Sequence, residues 1–183
     1  MKKIIIPVVA VVVIVVVVIA IIPFLFQKSA ELITPSQAAS VLGGTWSVNK
    51  NQTYSFTVDN NGNVTIHFLN GTTKTLCLSS SPLRFCKQIP KSGYVEYLNG
   101  TVKGNTEEML VSDLIYSSSS GADAFFSQVY SDALSYAVNV HNISENEFVA
   151  YYSSPSGVIS FIVELNGNNV YGISISAPRQ IGT

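Results

Sequence analysis

Residues 4-26, IIIPVVAVVVIVVVVIAIIPFLF, are twenty-three consecutive positions without one charged or hydrogen-bonding side chain. A water-soluble domain has little use for such a run, because a helix at its surface keeps one polar side. At about 1.5 Å per residue a helix through it would reach roughly 34 Å, enough to cross a hydrocarbon layer about 30 Å thick. A cleaved secretory signal has a shorter apolar stretch, about 7–15 residues, and a small-residue cleavage site. Phe26-Gln27-Lys28-Ser29-Ala30 offers a poor site of that kind. The run therefore reads as a retained transmembrane helix that meets the lipid bilayer through residues 4-26. Pro7 falls in its first turn, where a missing N–H costs little, and Pro23 marks the far end. Lys2 and Lys3 precede the run, whereas Lys28 follows it with Glu31 close by. That excess places the N-terminus in the cytoplasm and the rest of the chain outside the plasma membrane.

Three segments follow from this: an N-terminal anchor over 1-28, a linker with a short helix over 29-44, and an extracellular β-rich domain over 45-183. The last is the size of one domain with one sizeable core. Charged residues make up 11% of the chain, against roughly 25% in typical soluble domains. Such a surface suits surroundings in which carboxylates are often protonated, because little unbalanced positive charge then accumulates. The formal net charge of −1 hides an asymmetry. From Lys28 to Lys103 there are seven basic residues and three acids, whereas Gly104 to Pro178 holds eight acids and no lysine or arginine. The halves either pair across one domain or orient self-association head to tail. Nucleic acid is not an expected partner, since no dense basic patch interleaves with aromatics.

The linker ends in a helix whose start is written in Thr34-Pro35-Ser36-Gln37: Thr34 as N-cap, Pro35 at the first helical position and Gln37 reaching back to the cap. Gly43-Gly44 stops it. Strands are expected at Thr45 to Asn49, Thr53 to Asp59, Asn63 to Leu69, Thr72 to Leu78, Leu83 to Gln88, Tyr94 to Leu98 and Met109 to Tyr116. Asn-Gly pairs at 61-62, 70-71, 99-100 and 166-167 supply the positive φ angles of tight hairpins. An amphipathic helix from Ala122 to Val138, capped by Ser120 with Asp123, presents Phe126, Val129, Tyr130, Ala133, Leu134 and Ala137 as one apolar face. That face either packs on a sheet or meets a membrane or partner. Glu147 to Tyr152, Val158 to Leu165 and Val170 to Ser176 complete a second meander. The fold class is α+β: a transmembrane helix, then antiparallel β-meanders with one packed amphipathic helix.

Cys77 and Cys86 are the only cysteines, and Ser79-Ser80-Ser81-Pro82 between them reads as a turn. In an extracytoplasmic domain they are expected to form a structural disulfide. Sequons at Asn51, Asn63, Asn70, Asn99 and Asn142 make the domain an expected glycoprotein. For catalysis, neither His67 nor His141 has a nucleophile or acid at a recognisable spacing. Glu107-Glu108 with Asp113 offer a carboxylate pair, and read otherwise as a solvated strand entrance. No phosphate loop or zinc-type cluster is written in the chain, so no cofactor or metal is expected and the protein is read as no enzyme.

A Val/Ile anchor before a Ser/Thr/Asn/Tyr-rich ectodomain resembles the surface and secreted proteins of thermoacidophilic archaea, which implies a habitat and not an activity. Gly44-Thr45-Trp46 after a short helix resembles the Gly-x-Trp signature of lipocalins, which implies a ligand-holding barrel and makes Trp46 either a core anchor or a cavity wall. Gly43-Gly44 also looks like the end of a double-glycine leader, and small membrane-associated sulfolobicin-type antimicrobial proteins share the general character. The expected function is a membrane-anchored, non-catalytic binding or assembly protein of the cell envelope, meeting envelope proteins or a second copy of itself. The alternatives are a secreted antimicrobial, toxin-like protein and a lipocalin-like carrier of an apolar ligand.

Overall fold

The computed structural model describes residues 32–80, 88–153 and 157–178. They form one antiparallel sheet of ten strands with two helices. In chain order these are α1 (Pro35–Leu42), β1 (Thr45–Val48), β2 (Tyr54–Val58), β3 (Asn63–Phe68), β4 (Thr73–Cys77), β5 (Ser92–Val102), β6 (Asn105–Ile115), α2 (Ser119–Tyr136), β7 (Asn139–Ser144), β8 (Glu147–Ser153), β9 (Gly157–Asn166) and β10 (Asn169–Pro178). The order across the sheet is β4-β3-β2-β5-β6-β10-β9-β8-β7, with β1 also on β5. Each half of the chain is a local meander, and the two halves meet where β6 pairs with β10, opposite Met109 to Ile175 and Val111 to Ile173. β1 and β2 share one side of β5, at Leu98 to Thr101 and Ser92 to Val95. Buried Thr53 fills the break between them, its Oγ1 accepting from Tyr97 N at 3.0 Å.

Local signals set most elements. The Thr34 side chain accepts from Gln37 N and the Gln37 side chain accepts from Thr34 N, a complete capping box, and Gly43 ends α1 at φ 76°. Asn61-Gly62, Asn70-Gly71 and Asn166-Gly167 are hairpin turns with their glycines at positive φ. Asn99-Gly100 is not a turn: it lies inside β5, and the reversal comes at Lys103-Gly104 (φ 50° and 81°). Gly100 is opposite Trp46, where a Cβ would stand 2.6–2.7 Å from three indole ring atoms. A close approach, and not a reversal, is what glycine serves there. α2 begins earlier than expected, with Ser118 and not Ser120 as N-cap, its side chain accepting from Gly121 N. β7 was not expected at all. The expected strand at Leu83 to Gln88 falls almost wholly outside the described residues.

Alternation along the strands gives the sheet two apolar faces. On one, α1 and buried Ile33 cover Trp46, Leu98, Met109, Val111, Val149, Ile162, Ile173 and Ile175. On the other, α2 packs Ala122, Phe126 and Ala133 against Phe148, Ala150, Val163 and Val170. The rings of Phe126 and Tyr130 meet Phe148 edge-on at 5.4 and 5.1 Å. That second face continues into Phe56, Val64, Ile66 and Val95, with Leu114 packing against both clusters. Among the described residues the sheet is open: β4 and β7 end it without pairing to each other. It therefore does not close into the barrel that the lipocalin likeness implies.

Candidate functional site

Three places in this fold bear on function: the point where the chain enters the domain after the apolar run, a polar row on the α1 face, and the two ends of the sheet. At the first, the carboxylate of fully buried Glu96 accepts from the backbone N–H groups of Leu32 (3.1 Å) and Ile33 (3.0 Å). Glu96 sits in an otherwise apolar cross-strand row with Val111, Ile173, Ile162 and Val149. A buried carboxylate is costly unless such donors surround it, so the clamp fixes residues 32 and 33 to the middle of the sheet. Trp46, opposite Gly100 on β5, is buried on the same face, and its Nε1 donates to Gly43 O at 2.9 Å. Gly43-Gly44 and Trp46 thus form one structural unit, with the indole packed in the α1 core.

Two residues further along each strand runs a second row: Tyr94, Asp113, Tyr171, Glu164 and Glu147, on β5, β6, β10, β9 and β8. Asn169 Nδ2 donates to Asp113 Oδ1 (3.0 Å) and to the Tyr171 hydroxyl (3.3 Å). Glu147 Oε1 and Glu164 Oε2 are buried without a hydrogen-bond partner. Burial holds the carboxyls of Asp113, Glu147 and Glu164 above the usual range, and the Glu147 charge pushes Glu164 up further. Glu107 is also raised by burial. The row brings together acids from distant parts of the chain. Chemically it favours the protonated, neutral state of each carboxyl.

The carboxylate pair offered by Glu107-Glu108 does not exist, because successive strand residues point to opposite faces. Asp113 lies six residues further along the same strand, about 20 Å away at 3.3–3.4 Å per residue. His67 on β3 and His141 on β7 are exposed, with six strands between them in the sheet order. His67 Nδ1 is hydrogen-bonded to Thr73 Oγ1 at 3.0 Å. Among the described residues no group of three or more His, Cys, Asp or Glu side chains is placed to hold a metal ion. A shallow pocket of about 100 Å³ lies between α2 and the β7-β8 turn, lined by Phe126, Tyr130, Asn142, Ser144, Glu145, Glu147 and Phe148.

The expected disulfide is not formed. Cys77 is an exposed free thiol at the end of β4, opposite Asn63, and Cys86 lies outside the described residues. Among the described residues β4 has β3 as its single strand neighbour, and it leaves through a 3-10 turn at Leu78–Ser80. Three sequons have their amide nitrogen engaged: Asn63 with Asp59 Oδ2, Asn70 with Asn51 Oδ1 and Asn142 with the Tyr130 hydroxyl. Asn51, in a turn, and Asn99, within β5, are exposed. On α2, Phe126 and Ala133 are buried and Val129, Tyr130 and Ala137 pack beside them, while Leu134 is 59% exposed and does not belong to that face. Among the described residues no helix is long and apolar enough to cross a membrane; residues 4-26 lie outside them.

The ends of the sheet were missed by sequence reasoning, although the charge asymmetry pointed to them. The topology puts Lys50 and Lys74 toward the β4 end and Glu145 and Glu147 beside β7. No protein-family model, curated protein or solved structure matches the chain.

Proposed function

We propose that the protein is a single-pass, membrane-anchored extracellular domain of the cell envelope that works by binding or assembly, not by catalysis. The observation that carries the reading is the Glu96 clamp on Leu32 and Ile33. Five residues separate Phe26 from Leu32, so an anchor over 4-26 would hold the domain within about 20 Å of the bilayer at 3.3–3.6 Å per residue. A firm attachment so close to the chain's exit suits a domain that is displayed, and not one that is released. The row of raised carboxyls fits an acidic exterior, in keeping with the compositional likeness to surface proteins of thermoacidophilic archaea. Against the toxin alternative, insertion of α2 into a bilayer would first require Phe126 and Ala133 to leave the sheet.

The test is the mass and N-terminal sequence of the native protein, taken separately from washed membranes and from culture supernatant. A chain beginning near Met1, confined to membranes and cut by protease added to whole cells, is the expected result. A supernatant form beginning after Phe26 or at Thr45 would overturn the reading.

A further inference from the structure

Among the described residues, neither β4 nor β7 has a second strand neighbour, so each presents unpaired backbone N–H and C=O groups. Edge strands are ordinarily guarded by charge or proline, but Asn139–Ser144 contains no lysine, arginine or proline. Its one guard is the irregularity between Asn142 and Ser144. Leu134, Tyr136 and Val138, just before β7, are 59%, 77% and 67% exposed, and Leu69, just before β4, is 46% exposed. Such side chains would be covered if the edges were.

The charges are complementary. Lys74 lies on β4, and Lys50 stands beside the turn that leads into it, its carbonyl accepting from Asn70 N. Exposed Glu145 stands in the turn that leaves β7, within the stretch from Gly104 to Pro178 that has no lysine or arginine. The described lysines form no ion pair with the described acids; Lys74 lies over the Phe68 ring instead. Lys50 and Lys74 are thus not neutralised by the described acids of their own copy.

We infer that the β7 edge of one copy pairs, antiparallel, with the β4 edge of the next, so that this chain assembles head to tail through its own sheet. The inference rests on the reading of the domain as an assembly module and names its partner as a second copy. Antiparallel pairing sets Lys74, at the start of β4, and nearby Lys50 against exposed Glu145, just past the end of β7. It also keeps exposed Asp59, which hydrogen-bonds Asn63 opposite Cys77, away from that glutamate. Parallel pairing would bring the acids together. β4 and β7 stand eight steps apart, and a twist of about 20–25° per step accumulates to roughly half a turn. A copy related mainly by translation then presents its β4 antiparallel to β7, and every Leu32 exit stays on one side. Because each copy offers one edge of each kind, the contact is heterologous and propagates.

The test uses the full chain in its membranes or in mild detergent, with Cys86→Ser so that Cys77 is the sole native thiol. Asn139→Cys is added, mild oxidation follows, and species are separated without reductant. The expected result is a ladder of dimers, trimers and higher species, lost on Cys77→Ser, with Trp46 fluorescence unchanged as the sign of an intact fold. Lys74→Glu should weaken the ladder several-fold, and Glu145→Lys in the same chain should restore it. Absence of any ladder, cross-linking that survives Cys77→Ser, or a ladder from Ser144→Cys with none from Asn139→Cys would each overturn the inference. Failure here with the chain still anchored and extracellular leaves the envelope reading standing. A released chain fails that reading whatever the ladder shows.

Discussion

Gly100→Ala is a one-carbon change whose cost can be worked from the packing of Trp46. The added Cβ would stand 2.6–2.7 Å from Cδ2, Cε2 and Cε3 of the indole, against about 3.5–4.0 Å for comfortable carbon contacts. The ring would have to move by about 1 Å. It is held on its other sides by the Gly43 carbonyl at 2.9 Å and by the α1 core. Overpacking of this kind costs about 1–3 kcal/mol, and complete loss of a buried tryptophan about 3–5 kcal/mol. Alanine returns about 0.4–1 kcal/mol by restricting the unfolded chain. The expected net is a destabilisation of about 2 kcal/mol. Trp46 is the sole tryptophan, so urea unfolding in detergent followed by its fluorescence reads the effect at the site, with circular dichroism as the second probe. Trp46→Leu should remove most of the penalty: in a double-mutant cycle by circular dichroism, Gly100→Ala should then cost about 0.5 kcal/mol or less. A single-mutant cost below about 0.5 kcal/mol, or additivity in the cycle, would refute the packing argument and reopen Trp46 as the wall of an adaptable cavity.

Glu96→Leu should destabilise by about 1–3 kcal/mol, because the N–H groups of Leu32 and Ile33 lose their common acceptor, Oε2, whereas Glu96→Gln, whose amide oxygen can still accept from both, should cost less; thermal unfolding checks this, and earlier proteolysis near Leu32 should accompany the leucine variant. Stability should be greatest in acid: the raised carboxyls of Glu107, Asp113, Glu147 and Glu164 contribute stability fully present below the ordinary carboxylate values of 3.8 to 4.5. That contribution is lost as pH rises through their higher folded-state values. Melting scans from pH 3 to pH 8 should show the fall, and Glu164→Gln should flatten it; a melting temperature that climbs steadily to neutrality would count against the buried row. Exposed Asp59, held below its ordinary value by Asn63, acts in the opposite sense. Glycan mass should sit on Asn51 and Asn99, so Asn51→Gln should lower the mass of the native protein while Asn142→Gln leaves it unchanged; the reverse would mean that the Tyr130 contact yields.

Much of the fold is legible in the sequence because it is local. The capping box of Thr34 and Gln37, the stop at Gly43 and the hairpins at Asn61-Gly62, Asn70-Gly71 and Asn166-Gly167 each rest on contacts within a few residues. The strands of both meanders show themselves as runs of β-branched and aromatic residues, with alternation clearest where one face is wetter, as in Val64 and Ile66 against Thr65 and His67. β7 did not, since nearly all of its residues are exposed and nothing forces a period on Asn139 to Ser144. The sequence by itself determined the apolar run of residues 4-26, the antiparallel meanders, and the division of charge at about residue 104. Only the tertiary structure decided that Asn99-Gly100 lies under an indole, that Glu96 fastens Leu32 and Ile33, and that Glu147, Glu164, Tyr171 and Asp113 share a row. It also decided that the two charged halves stand at opposite ends of one open sheet. The physical reason is common to all four. Each joins segments some fifty to seventy residues apart, as β1 with β5, Leu32 with Glu96 and β6 with β10, and no local propensity carries that information, because long-range register is chosen by the burial of both faces at once.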